Sequence, residues 1–173
     1  MAQIITLILE LFGVGVLLVI IYFLGRPIMR GAIYFPTTGR GVEAMLKLAD
    51  IKPGQKVVDL GSGDGRILIA AARAGAQATG YEINPILVRQ SRRAIARAGL
   101  APHATVEWES FWRADFSQYD IVIVYGIPYI LRGLRRKMER ELRPGTKIIS
   151  NAFEIPGWPI VAKEHKVFLY IKE

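Results

Sequence analysis

The sequence predicts an open α/β fold whose sheet is mostly parallel, closed by a C-terminal antiparallel hairpin and preceded by one transmembrane helix. Three observations lead there. From residue 55 to about residue 150, short apolar runs alternate with helix-period runs, the order of βαβ units. The first apolar run ends in the glycine-rich stretch "DLGSGDG". Residues 4–24 are almost wholly apolar and carry a single charge, Glu10. A chain of 173 residues fits one domain with an appendage, here residues 1–30 as anchor and linker and residues 31–173 as the domain.

The apolar run comes first. Its 21 residues would rise about 31 Å as a helix, close to a hydrocarbon core of about 30 Å. Sixteen of them are Leu, Ile, Val or Phe. At roughly −0.5 kcal/mol each they favour insertion by about −8 kcal/mol, more than the cost of Glu10, about +3 kcal/mol at most. No basic residue precedes the run, which disfavours a signal peptide. Arg26, Arg30 and Arg40 follow it, which predicts a single-pass membrane protein with its domain in the cytoplasm.

Next come the strands and helices. "GQKVVDL" is short, apolar and bounded by turn residues, as a buried parallel strand should be. "GRILIAAARAG" is a helix ending at Gly75, and "AQATGYEIN" the second strand. "PILVRQSRRAIARAG" is a helix with Pro85 in its first turn and Gly99 past its end. "ATVEWESF" is the third strand, and "YDIVIVYGI", almost uniformly apolar, a central fourth. "PYILRGLRRKMERELRPG" is a helix stopped by Pro144 and Gly145, "TKIISNAF" a fifth strand, and "PIVAKEHKVFLYIKE" the closing hairpin.

Composition narrows the chemistry. There is no cysteine, which excludes disulfides and thiolate metal sites. Neither His103 nor His165 has partners for a metal, so no metal is expected. The formal charge of +8 sits largely in two arginine-rich helices. Such a balance suits nucleic acid, an anionic surface or plain solubility. No basic patch interleaved with aromatics stands out in the sequence, which disfavours nucleic acid.

The glycine stretch is the most informative. In an open α/β sheet, ligands bind beyond the C-terminal strand ends. A dinucleotide fold uses GxGxxG and lays a pyrophosphate on a helix N-terminus. Here the spacing is GxGxG through Gly61, Gly63 and Gly65, with Asp59 two residues ahead. An acid there repels a pyrophosphate and suits a ligand carrying an ammonium and a sulfonium. Glu82, 17 residues after Gly65, ends the next strand and can accept both hydroxyls of a ribose.

This pattern resembles the class I, seven-β-strand, Rossmann-like S-adenosyl-L-methionine-dependent methyltransferases, over roughly residues 34–173. The resemblance implies S-adenosyl-L-methionine as cofactor. It places Asp59, Gly61, Ser62, Gly63 and Gly65 at the methionine end and Glu82, Ile83 and Asn84 at the ribose. Glu109 then falls near the adenine amino group, with Ser110 and Phe111 lining its pocket. The aromatic-Pro-Thr element "YFPTT", the "YGIP" after strand four and "NAFEIPGWP" are similar to the membrane-anchored protein-lysine methyltransferases that act on the adenine nucleotide translocase and on the c-subunit of ATP synthase. That implies a membrane protein substrate with an interfacial lysine, and bilayer contact through residues 4–24. Thr37 and Thr38 fall near the cofactor. Tyr34 and Tyr125 become candidates to line the methyl channel, Tyr125 touching the cofactor as well; Thr38 also suits a helix N-cap. "YGIP" lacks the Asn/Asp acceptor of the enzymes that methylate planar amines. Alternatives are methylation of RNA or of a lipid-soluble small molecule, and a membrane protein that binds the cofactor without turnover.

Overall fold

The computed structural model describes residues 3, 6, 10–18 and 37–173. The chain divides into two units, Met1–Ile33 and Tyr34–Glu173. In the first, the described residues 3, 6 and 10–18 are helical. Among the described residues no helix is long and apolar enough to cross a membrane. This finding corrects the transmembrane helix expected over residues 4–24, much of which lies outside the described residues. The single-pass membrane location, with the domain in the cytoplasm, rests on that helix and falls with it.

The second unit is a seven-stranded sheet. Its elements run α1 (Gly39–Ala49), β1 (Lys56–Leu60), α2 (Arg66–Arg73), β2 (Gln77–Tyr81), α3 (Pro85–Arg97), β3 (Ala104–Glu107), a 3₁₀ turn (Phe111–Arg113), β4 (Ile121–Tyr125), α4 (Pro128–Glu141), β5 (Lys147–Asn151), β6 (Ala162–Glu164) and β7 (Val167–Ile171). The strand order is β3-β2-β1-β4-β5-β7-β6. β1 to β5 are parallel, whereas β7 runs antiparallel between β5 and β6. The chain leaves β1 toward β2 and later returns on the other side as β4. The switch point therefore lies between β1 and β4.

Strand alternation divides the core. Val57, Ala78, Ile121, Ile123, Ile149 and Val167 join Met45 of α1, Leu68 of α2 and Ile95 of α3 in one buried cluster. Residues between them, such as Val58, Val122 and Ile148, point to the opposite face. There α4 buries Leu131, Leu134 and Met138 completely. Each such side chain contributes about 1.5–3 kcal/mol when removed from water. The far end of α4 is tied down by Lys137, whose Nζ lies 4.5 Å from the centre of the Phe116 ring and 2.7 Å from Glu141. β3 is one open edge of the sheet, and Arg92 of α3 donates from Nε and Nη2 to the Val106 carbonyl there, at 3.1 and 2.7 Å. At the other edge β6 is three residues long.

Two strands stop earlier than their apolar pattern suggests. β2 ends at Tyr81, because Glu82 and Asn84 turn their polar groups to the neighbouring backbone. β3 ends at Glu107, not at Phe111, and the chain bends through Trp108 and Glu109 into the 3₁₀ turn. Helix packing against the loop after β1 is close. A methyl group added to Gly65 would stand 2.1 Å from Ser91 Oγ, and Gly65 has φ +83°. Gly65→Ala should therefore destabilise the protein by about 2–4 kcal/mol in chemical denaturation. Ser91→Ala should be nearly neutral, since its buried hydroxyl has no partner. The double variant should recover part of the loss; strict additivity would refute the contact as the cause.

Candidate active site

The C-terminal ends of the parallel strands build one edge. β1 delivers Asp59 to it, and three left-handed glycines follow at φ +88°, +55° and +83° for Gly61, Gly63 and Gly65. Only glycine adopts such angles readily. The loop folds back across β2: the N–H groups of Gly61 and Ser62 donate to the Tyr81 carbonyl at 2.9 and 3.1 Å. Glu82 completes the junction. Its Oε2 accepts from the Gly63 N–H at 3.0 Å and its Oε1 from the Asn84 N–H at 2.8 Å. Each oxygen keeps a lone pair for a further donor.

Asp59 is buried, and its Oδ2 has no hydrogen-bond partner. Burial, with like charge from Glu82 and then Asp64, pushes its carboxyl up to about 8. A buried acid in that state is a receptor for a cation, which would favour the ionised form. Ser62 Oγ is likewise buried without a partner. These orphaned atoms beside a glycine loop fit a ligand with an ammonium and hydroxyl groups.

The segment before α1 closes one side. Thr38 is the N-cap of α1, its Oγ1 accepting from the Gly41 N–H at 3.3 Å. Thr37 is buried; its carbonyl accepts from Arg66 Nη1 at 2.7 Å and its Oγ1 from Asn151 Nδ2 at 3.3 Å. Arg66 also grips Asp64 at 2.6 Å. Tyr34 lies outside the described residues. Tyr125 ends β4, half-buried, with Asn151 of β5 beside it in register and Phe153 edge-on at 6.4 Å. Asn84 is the N-cap of α3, and the carbonyl of half-buried Ile83 accepts from Trp108 Nε1 at 3.1 Å. Past β3, Glu109 is exposed, Ser110 half-buried and Phe111 buried at the head of the 3₁₀ turn.

The structure thus gathers Thr37, the glycine loop and Glu82 in one bonded network, leaves the unpartnered Asp59 and Tyr125 alongside, and puts Glu109 in a solvated bend. Sequence reasoning missed Asn151, Phe153, Arg66 and Trp108. Asn151 and Phe153 lie at the end of a strand adjacent to Tyr125, a relation that only the strand order reveals. Among the described residues no cluster of metal-binding side chains is present.

The model of the ANTKMT methyltransferase domain matches residues 59–162. The chain belongs to this family. Over 151 residues it is 38% identical to the human ATP synthase c-subunit lysine N-methyltransferase, covering 84% of this chain and 64% of that protein. The rat counterpart has the same identity, with 69% of its length covered. A protein-lysine N-methyltransferase of Saccharolobus islandicus is 34% identical over 80% of this chain and 92% of its own. Among solved structures, an RNA methyltransferase from Salinibacter ruber in complex with S-adenosyl-L-homocysteine aligns with TM-score 0.74 and 35% identity, over 80% of this chain and 92% of that one. This family member is an S-adenosyl-L-methionine-dependent methyltransferase.

Asp59 makes stability depend on pH. Its carboxyl holds a proton more tightly folded, at about 8, than in an unfolded chain at about 3.9. Its contribution is therefore greatest below about pH 4 and declines as pH rises toward 8. Asp59→Asn should leave the melting temperature of the ligand-free protein unchanged at pH 4–5. At pH 8–9 it should raise stability by about 1–3 kcal/mol. Equal effects at both ends of the range would mean that Asp59 is not a strained, buried acid.

Proposed function

We propose that this methyltransferase modifies the ε-amine of a lysine in another protein. The acceptor we infer is an interfacial lysine of a membrane protein of the kind its relatives are named for, the ATP synthase c-subunit or the adenine nucleotide translocase. One observation carries the reading: the likeness to lysine methyltransferases extends over 84% of the chain and includes the reaction edge, Tyr125-Gly126-Ile127-Pro128, which offers no acidic or amide side chain to a planar amine. The chain spans about two-thirds of the length of those relatives.

When bound, S-adenosyl-L-methionine supplies an electrophilic methyl group on a sulfonium. Asp59, in its ionised form, would hold the methionine end, and Glu82 would accept the ribose hydroxyls with the lone pairs left over from Gly63 and Asn84. Gly61, Gly63 and Gly65 would let the backbone approach without a Cβ. Ile83 and Asn84 would lie at the ribose and Ser110 and Phe111 at the adenine, with Glu109 turning in from solvent. A lysine must shed its proton to attack, which costs roughly 4.6 kcal/mol at pH 7 from a reference value of about 10.4. Partial desolvation beside Tyr125 lowers that cost. Asn151 holds Thr37 at the same strand ends. Thr38 acts only through the helix that it caps.

A second reading, methylation of RNA, is favoured by the Salinibacter ruber relative. Incubation with radiolabelled cofactor, native membranes and total RNA, followed by hydrolysis, separates the two. Label should appear in methylated lysine; label confined to nucleosides would reverse the assignment. Cofactor binding is checked by calorimetry with S-adenosyl-L-homocysteine. Asp59→Asn and Glu82→Gln should each weaken it by about 1–3 kcal/mol. Wild-type affinity should rise with pH up to about 8, because Asp59 must lose its proton, and Asp59→Asn should remove that slope.

A further inference from the structure

Helix α4 carries both paired and unpaired charges. Arg135 pairs with Glu139 and Lys137 with Glu141, on different faces, each at 2.7 Å and four residues apart. Arg132, Arg136 and Arg140 follow one another at the same interval on the exposed side. Among the described residues these three make no hydrogen bond or ion pair. Like charges at that spacing weaken a helix. The two pairs show that this helix can place an acid one turn from a base; along the arginine row it does not.

The uncompensated row begins at the reaction edge. α4 starts at Pro128, with only Gly126 and Ile127 between it and Tyr125 at the end of β4. Ile127 and Tyr129 are both exposed there, Tyr129 at 82%. Trp112, from the turn after β3, lays its indole on Gly133: a methyl at that glycine would stand 3.1 Å from ring atom Cη2. Tyr129 and Gly133 are one turn apart on the same face. Tyr129 and Trp112 thus flank the start of the arginine row. With a rise of 1.5 Å per residue, Arg132, Arg136 and Arg140 sit about 6, 12 and 18 Å along the axis from Pro128.

We propose that this face of α4 is the docking track for the protein substrate, and that it selects an acidic segment next to the target lysine. The proposal rests on the lysine reading above and adds the substrate's chemistry. Apolar residues beside the lysine meet Tyr129 and Trp112. Carboxylates further along meet the arginines, whose planar forks donate paired N–H bonds to them. An extended peptide advances about 3.4 Å per residue, so the matching acids lie about two to five residues from the lysine. A comparable row on α3, Arg89, Arg93 and Arg97, starts beside Asn84, on the ribose side of the sheet and away from β4. It serves as an internal control.

The test uses the full chain and three probes: a lysine peptide with aspartates at those positions, the same peptide with asparagines, and a single-stranded RNA as competitor. The acidic peptide should have a KM about five-fold lower or better, with kcat unchanged and the advantage shrinking in high salt. R132E/R136E should abolish the preference, R93E/R97E should keep it, and both should bind S-adenosyl-L-homocysteine as the wild type does. Equal KM values for the two peptides would overturn the proposal. So would equal loss in the control pair, or RNA competition that depends on Arg132 and Arg136 without any preference for acid. If no lysine peptide is methylated although S-adenosyl-L-homocysteine binds, the lysine reading itself fails and this track fails with it.

Discussion

The Glu82 carboxylate holds the site together. It joins the end of β2 to the middle of the glycine loop through Gly63 and to the head of α3 through Asn84. Parallel pairing of β1 with β2 sets Leu60 opposite Tyr81, so the chain leaving β1 crosses directly over the end of β2. There the Tyr81 carbonyl takes two N–H groups, and Glu82 takes the next free one. One acid thereby fixes both the glycine loop and the head of α3. Left-handed glycines are the only residues that let the backbone make this crossing without strain. Asp59 has no such partners, and the contrast between the two acids is the chemistry of the pocket: one is satisfied by backbone, the other waits for a cation.

A second constraint ties the segment before α1 to the same edge. Arg66 reaches from the head of α2 to the Thr37 carbonyl while holding Asp64, and Asn151 meets the Thr37 hydroxyl from β5. Two elements far apart in sequence, α2 and β5, converge on one threonine. A change in the glycine loop is therefore transmitted through Arg66 to Thr37.

Much of this was legible in the sequence, for identifiable reasons. Apolar runs bounded by turn residues marked β1 and β4, because strands covered on both faces need no polar alternation. Acid-x-GxGxG and Glu82 marked the junction of β1 and β2, because local backbone chemistry demands those types at those positions. Strand ends were harder. Trp108 and Glu109 continue the pattern of β3, yet the indole N–H turns to the Ile83 carbonyl and the strand stops at Glu107. Asn151 and Phe153 were invisible because their role depends on β5 lying beside β4. The apolar N-terminal run misled for a different reason: hydropathy and length describe what a segment could cross, while only a continuous helix of that length crosses it, and none is present among the described residues.

The two sheet edges carry a consequence for how this chain behaves in a crowd. At β3 the outward carbonyl of Val106 is occupied by both arms of the Arg92 guanidinium, so an incoming strand finds its acceptor taken and a fixed positive charge in its path. At the opposite edge β6 offers only Ala162 to Glu164, with Lys163 folded over the Phe168 ring and Glu164 bound to Lys47. A short edge bearing charge is a poor template for β-addition. Between them β1, β4, β5 and β7 are rich in Val, Ile, Leu and Phe and would stack readily if exposed. Folding the most aggregation-prone strands into the middle, and closing both borders with cations, keeps neighbouring copies from zipping together while the protein is at work.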